Sequence, residues 1–282
     1  MCIRDRPRAA RAPARHAQPA APPLGVHVYR AILGGSVDGV RRYLEMGGIV
    51  DAYYRTEWGW EGVGSEWTWA QPTGGTTPLN YTARMLDVIG DDVAAQITRV
   101  LLDAGADPLC DDCLQQWFTP VHNAAANGGP LTVGELLRAD RALADATTGE
   151  GQTTLFAAAL CERPADRRRV VDLLLAHGAS TAFVEPFRGD TALHEYARRG
   201  LHAEVALLCD HGADVVAQNN AGHTPCVAGE HALDALLTQG AGAASGSADA
   251  ERWLTLSQQE REALINGLTD TISLLRARAA RR

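Results

Sequence analysis

One stretch, residues 188 to 221, limits what this chain can fold into. Thr191 is placed to cap a helix opening at Ala192, because its hydroxyl can accept from an otherwise orphaned backbone N–H. Leu193 and Ala197 share one face at i, i+4, and Gly200 permits the left-handed residue that ends the helix. A second apolar-periodic run, Val205, Leu207 and Leu208, stops at Gly212-Ala213-Asp214. The pattern is a helix–turn–helix followed by a glycine stop and an extended loop. Such a unit cannot bury its apolar face alone, so it must recur at a fixed period. Gly222-His223-Thr224-Pro225 restarts it, and Thr224 lies 33 residues beyond Thr191.

The same pattern runs backward along the chain. Thr153-Thr154-Leu155-Phe156 opens a unit that closes at Gly178-Ala179-Ser180. Thr119-Pro120-Val121-His122 opens another, with Gly128 and Leu136-Leu137 following. Thr77-Pro78-Leu79-Asn80 with Val100-Leu101-Leu102 and Gly105-Ala106-Asp107 makes one more, and Val26 to Gly48 reads as a degenerate first unit. The unit from Thr191-Ala192-Leu193-His194 to Gly212-Ala213-Asp214 resembles an ankyrin repeat, and the resemblance covers about residues 25–240. It implies an all-α, ankyrin-repeat α-solenoid of about five repeats plus a truncated C-terminal cap. The structural signature it carries over is Thr77, Pro78, Thr119, Pro120, His122, Thr191, His194, Gly212, Thr224 and Pro225. In the family the signature imidazole, here His122 and His194, bonds the threonine hydroxyl and neighbouring backbone, which is a structural task and not a catalytic one. Asn80, Phe156 and Val227 stand at that position in the other units, so those turns are expected to be less rigidly tied.

Between residues 51 and 76 the period is interrupted by a segment far longer than an ordinary connection. Trp58 and Trp60 alternate with small or polar residues, as do Trp67 and Trp69, so each pair shares one face of a strand. A single antiparallel register pairs Trp58 with Trp69 and Trp60 with Trp67, with Gly62 to Ser65 as the turn. Cross-strand aromatic pairs are each worth about 0.5–1.5 kcal/mol beyond area burial. The expectation is a β-hairpin insert projecting from the solenoid edge. Its indoles serve either as a lid over the first two repeats or as an exposed recognition surface. Glu57, Glu61 and Glu66 flank them and would suit a basic or arginine-bearing partner. Two further insertions fall at inter-helix turns, near Leu86 to Asp92 and at Glu162 to Arg169. Arg167 to Arg169 read as a solvated helix start.

The termini differ in kind from the array. Residues 1–24 are rich in Arg, Ala and Pro without periodicity, an expected disordered basic arm carrying +4. The chain totals −8, so the remainder carries −12, which disfavours duplex nucleic acid and anionic lipid as partners. Every cation is Arg, since Lys is absent, a bias that together with abundant Ala and Gly points to a GC-rich, bacterial genome. Residues 241–253 read as a flexible Gly/Ala/Ser linker within the boundaries 25–240 for the array and 254–282 for a C-terminal capping helix. Ser257 to Glu260 forms a capping box, and Leu264, Ile265, Leu268, Ile272 and Leu275 make one apolar stripe. That helix either seals the open end of the array or joins two copies. No apolar run approaches the ~18 residues of a membrane span, and the N-terminus lacks the apolar core of a secretory signal, so the expected location is the cytoplasm.

The function implied by the resemblance is protein–protein recognition, with no catalysis and no cofactor. Family partners bind along loop tips and first helices. By position the tips offer Gln116, Trp117, Phe118, Phe187 and Arg188, and the first helices offer Tyr81, Asn123 and Glu195. Tyr53, Tyr54, Trp58, Trp60, Trp67 and Trp69 favour the N-terminal half, because hot spots are rich in Trp and Tyr. The partner expected is a protein of basic character, and the expected oligomeric state is a monomer. A rival reading is a small-molecule or zinc-binding protein using the Trp hairpin or the Cys110/Cys113 pair. A lone CxxC lacks the two further ligands of a tetrahedral zinc site, however, and no metal is assigned. A third reading is a structural assembler joined through its C-terminal helix.

Overall fold

The computed structural model describes residues 25–52, 76–110, 118–239 and 257–281. Among them every regular element is helical, apart from isolated bridges joining Thr147 to Thr153 and Val184 to Thr191 and single bridge residues at Thr76 and Phe118. The helices are α1 (Gly25–Leu33), α2 (Val37–Glu45), α3 (Pro78–Arg84), α4 (Leu86–Ile89), α5 (Asp91–Asp103), α6 (Pro120–Ala126) and α7 (Pro130–Ala139). A 3-10 turn at Arg141–Asp145 precedes α8 (Thr154–Ala158), α9 (Pro164–Ala176), α10 (Ala192–Arg198), α11 (His202–Asp210), α12 (Pro225–Gln239) and α13 (Gln258–Ala279). Helices α1, α3, α6, α8, α10 and α12 form an inner layer. The outer layer is α2, α5, α7, α9, α11 and α13, and each helix packs on its counterpart in the next unit.

The sequence accounts for the helix ends. Thr77 Oγ1 accepts from Asn80 N at 3.3 Å, and Pro78 and Pro120 occupy first-turn positions where no N–H is required. Gly200 turns the chain between α10 and α11 at φ +65°, a conformation that costs a side chain energy. One continuous core runs the length of the stack, including Ile32, Leu79, Ile97, Val121, Leu155, Leu174, Leu193 and Leu208. Each unit therefore depends on its neighbours for burial.

The insertions sit where the period breaks. Leu86–Ile89 becomes the extra helix α4, which ends at Gly90 with φ +80° before α5 begins. The insertion in the fourth unit forms the turn before Pro164. Arg163 reaches from it to Asn127 O, to Gly128 O at 3.0 Å and to Asp87 at 3.3 Å, so three successive turns are tied along one edge. Arg167 corrects the sequence reading. Instead of lying in solvent it is buried against Glu204, because α11 stacks on that face of α9, while Arg168 and Arg169 are exposed.

At the C-terminal end the helix packs on the array, as the sealing alternative has it, and only the truncation of the last unit is corrected. Ser257 and Glu260 do form the reciprocal capping box. Helix α13 lies beside α12 and against α11, in the place an outer helix occupies in every other unit. The sixth unit is thus completed by α13, not truncated, and Leu268, Ile272 and Leu275 are its buried stripe. Residues 53–75, the expected hairpin, lie outside the described residues, as do 1–24 and 240–256. Ala52 and Thr76 meet at one point: the Tyr29 hydroxyl lies 2.6 Å from Ala52 O and 2.7 Å from Thr76 O. No helix among the described residues is long and apolar enough to cross a membrane.

Candidate partner-binding surface

The inner helices and the loops that precede them build the surface from the signature residues upward. Thr119 Oγ1 and His122 Nδ1 are 2.7 Å apart, and His122 Nε2 lies 3.0 Å from Ala146 O and 3.2 Å from Gln152 O. Two carbonyls facing Nε2 require the proton there, so Nδ1 accepts from the threonine hydroxyl. His194 repeats the arrangement: Nδ1 accepts from Thr191 N at 3.1 Å, and Nε2 donates to His223 O at 3.0 Å. Each imidazole thereby ties a helix start to the next loop. Burial lowers both, His122 to about 4, which keeps the rings neutral and suits them to this structural task. Asn80, at the same position, donates from Nδ2 to Cys110 O at 2.6 Å, so its turn is tied by an amide where weaker fixation was expected.

The residues singled out from sequence separate into three groups. Tyr53, Tyr54, Trp58, Trp60, Trp67, Trp69, Gln116 and Trp117 lie outside the described residues, as does Cys113. Phe118 and Asn123 are inside the array, which corrects their assignment to its accessible face. Phe118 is 5% exposed with its ring 5.7 Å from that of His122, and Asn123 Nδ2 donates to Asn80 Oδ1 at 3.0 Å. Phe118 joins the hydrophobic core, and the amide bond to Asn80 on the neighbouring inner helix draws Asn123 inward. Tyr81 is half-buried, edge-on to Tyr29 at 5.1 Å.

The third group, Phe187, Arg188 and Glu195, converges on the fifth unit. Phe187 is 72% exposed at the apex of the loop before α10. That apex is held from beneath by Glu185, 4% exposed, whose carboxylate accepts from Phe187 N at 2.6 Å and Arg188 N at 2.8 Å. The next loop holds it from the side, since Asn220 Nδ2 donates to Phe187 O at 3.0 Å and Asn220 N to Arg188 O at 2.9 Å. Val184 and Val216 stand exposed on the same two loops. Behind the tip, Arg198 bridges Asp190 at 2.7 Å and Glu195, and Arg199 donates to Glu195 at 2.6 Å. Burial alone would raise the Asp190 carboxyl, but hydrogen bonds from Asn219 and Arg198 outweigh it and hold the group below its ordinary value. Glu185, Asp190 and Asn220 escaped the sequence reading. The only local signal was a carboxylate three residues before Arg188.

This is the architecture of the ankyrin-repeat class: stacked helix pairs with loops projecting to one side. Residues 188–220 match the family model described as Ankyrin repeat. Among solved structures the chain is similar to the ankyrin repeat domain of human ASB11, with 24% identity over 80% of each chain and a TM-score of 0.54. It is likewise similar to the ankyrin repeat domain of Bcl-3, described as a unique member of the IkappaB protein family. There the identity is 22% over 89% of this chain and 100% of that one, with a TM-score of 0.54. At these identities the likeness is one of fold. No curated protein matches the chain.

Proposed function

We propose that the protein is a non-enzymatic recognition scaffold that holds a partner protein against its loop edge, with Phe187 and Arg188 at the centre of contact. The observation that carries this reading is the fixed presentation of Phe187. The Phe187 ring is 72% in water with Val184 and Val216 exposed on the same two loops, and its backbone is braced by Glu185 and Asn220. A preordered tip loses little entropy on binding, and aromatic and arginine side chains dominate contact energies. The chemistry of the described residues supports binding over catalysis, since both signature imidazoles are already engaged by backbone and threonine. The Trp-rich segment 53–75 is a second contact candidate at the other end of the array.

Affinity capture from the source organism, comparing the native chain with Phe187→Ala, tests the reading. The variant should lose captured protein about tenfold or more while unfolding at the same temperature, because the ring contributes nothing to the core. Unchanged capture would remove Phe187 from the contact.

A further inference from the structure

Resting on that reading, we infer that the partner segment taken by the fifth unit is acidic, placing an apolar side chain on Phe187 and a carboxylate on Arg188. The chain as a whole is acidic at −8, yet charge at this edge is sorted by depth. The carboxylates that hold the Phe187 loop are largely covered, with the Asp190 side chain 1% exposed, that of Glu195 13% and Glu185 4% beneath backbone N–H groups, whereas Asp214 on the next loop is exposed. Its guanidinium groups face outward, with Arg188 59% exposed, Arg199 30% and Arg198 29%. A ligand lying on the Phe187 tip therefore meets Arg188 first, although the cluster behind it is neutral in sum.

Arg188 is the group most free to respond. Its one side-chain contact among the described residues is Nε to Asp190 at 3.5 Å, longer than a hydrogen bond, which leaves both terminal nitrogens for a bidentate carboxylate. Asp190 is already satisfied by Arg198 and by Asn219 at 2.8 Å, so Arg188 can turn to a ligand without stranding a buried charge. Phe187 lies next to it, fixed by the same bonds, so one ligand segment would reach both. An extended strand fits, because its alternate side chains can engage an apolar surface and a cation in turn.

Fluorescence anisotropy with two labelled 12-residue peptides tests the assignment, one alternating Glu and Leu and the other Gln and Leu. Net charge repels the first peptide from the protein, so tighter binding of it requires a local cationic site. The Glu peptide should bind about tenfold more tightly than the Gln peptide at low salt, and Arg188→Glu should abolish the difference. Phe187→Ala should weaken both. Equal or weaker binding of the Glu peptide, or indifference to Arg188→Glu, overturns the charge assignment. If Phe187→Ala still weakened both peptides in that case, the recognition reading would stand alone. Absence of binding by either peptide at millimolar concentration overturns docking of an extended segment here, while capture of a folded partner through Phe187 would remain separately established. Both residues are exposed, so each variant is checked for the native unfolding midpoint.

Discussion

The guanidinium of Arg167 donates through Nε to the carboxylate of Glu204 at 3.0 Å, joining α9 of the fourth unit to α11 of the fifth. Both side chains are nearly sealed, at 10% and 3% exposure, and Arg167 also donates to Cys161 O at 2.7 Å. The pair thus closes the α9–α11 interface with buried charge, whereas the pairs that join other outer helices, Arg99 with Glu135 and Arg278 with Asp210, are more exposed.

Removing one partner should strand the other in low dielectric. Arg167→Ala is expected to lower unfolding free energy by about 3–5 kcal/mol in urea titration. The double variant Arg167→Met with Glu204→Leu should recover most of that loss, since no charge is left unpaired. A double variant as unstable as the single one would assign the loss to packing instead.

Gly267 allows α13 to approach the turn of the fifth unit. A Cβ built there would lie 2.6 Å from Gly200 O, a backbone atom that cannot step aside. Alanine is nevertheless the better helix former, by about 1 kcal/mol. Gly267→Ala should therefore raise the helicity of an isolated 257–282 peptide while lowering hydrogen-exchange protection of α13 in the intact chain. Unchanged or increased protection would show that α13 has room to shift.

Two buried threonines in neighbouring outer helices should respond with opposite signs. Thr98 Oγ1 has no hydrogen-bond partner among the described residues, whereas Thr132 Oγ1 donates to Asp91 at 2.7 Å. Thr98→Val removes an unsatisfied hydroxyl and should leave the thermal midpoint equal or higher. Thr132→Val leaves Asp91 short of a donor and should cost about 1–2 kcal/mol.

The signature histidines make stability depend on pH. Folding lowers His122 from 6.5 to about 4, and His194 moves the same way, so the unfolded chain binds more protons between those values. Their contribution is complete above about pH 6.5 and is lost as pH falls toward 4, by roughly 3 kcal/mol for His122. Urea unfolding at successive pH values should show the slope, and His122→Asn with His194→Asn should flatten it. Asparagine is chosen because Asn80 already fills that position and reaches the following loop.

Local grammar carried most of the fold. Capping by Thr77 and Thr191, first-turn prolines, glycine turns and apolar spacing all act within a few residues, so the helix pairs could be read in order from the chain. The Ser257–Glu260 capping box was legible for the same reason, and so was the exposed loop tip at Phe187 and Arg188. Other placements depended on partners far away in sequence. Arg167 is buried because Glu204 comes to it from 37 residues on, and Asn123 turns inward because Asn80 lies opposite it on the neighbouring helix. The position of α13 is likewise a matter of stacking, since its apolar stripe alone is compatible both with sealing an end, the favoured reading, and with joining a copy. The sequence by itself determined the repeating helical unit, its period and its ends, through interactions spanning three or four residues. Only the tertiary structure decided which side chains the stack encloses, how the sixth unit is completed and which charges remain in solvent, because burial is settled by the neighbouring unit and not by the residue's own helix.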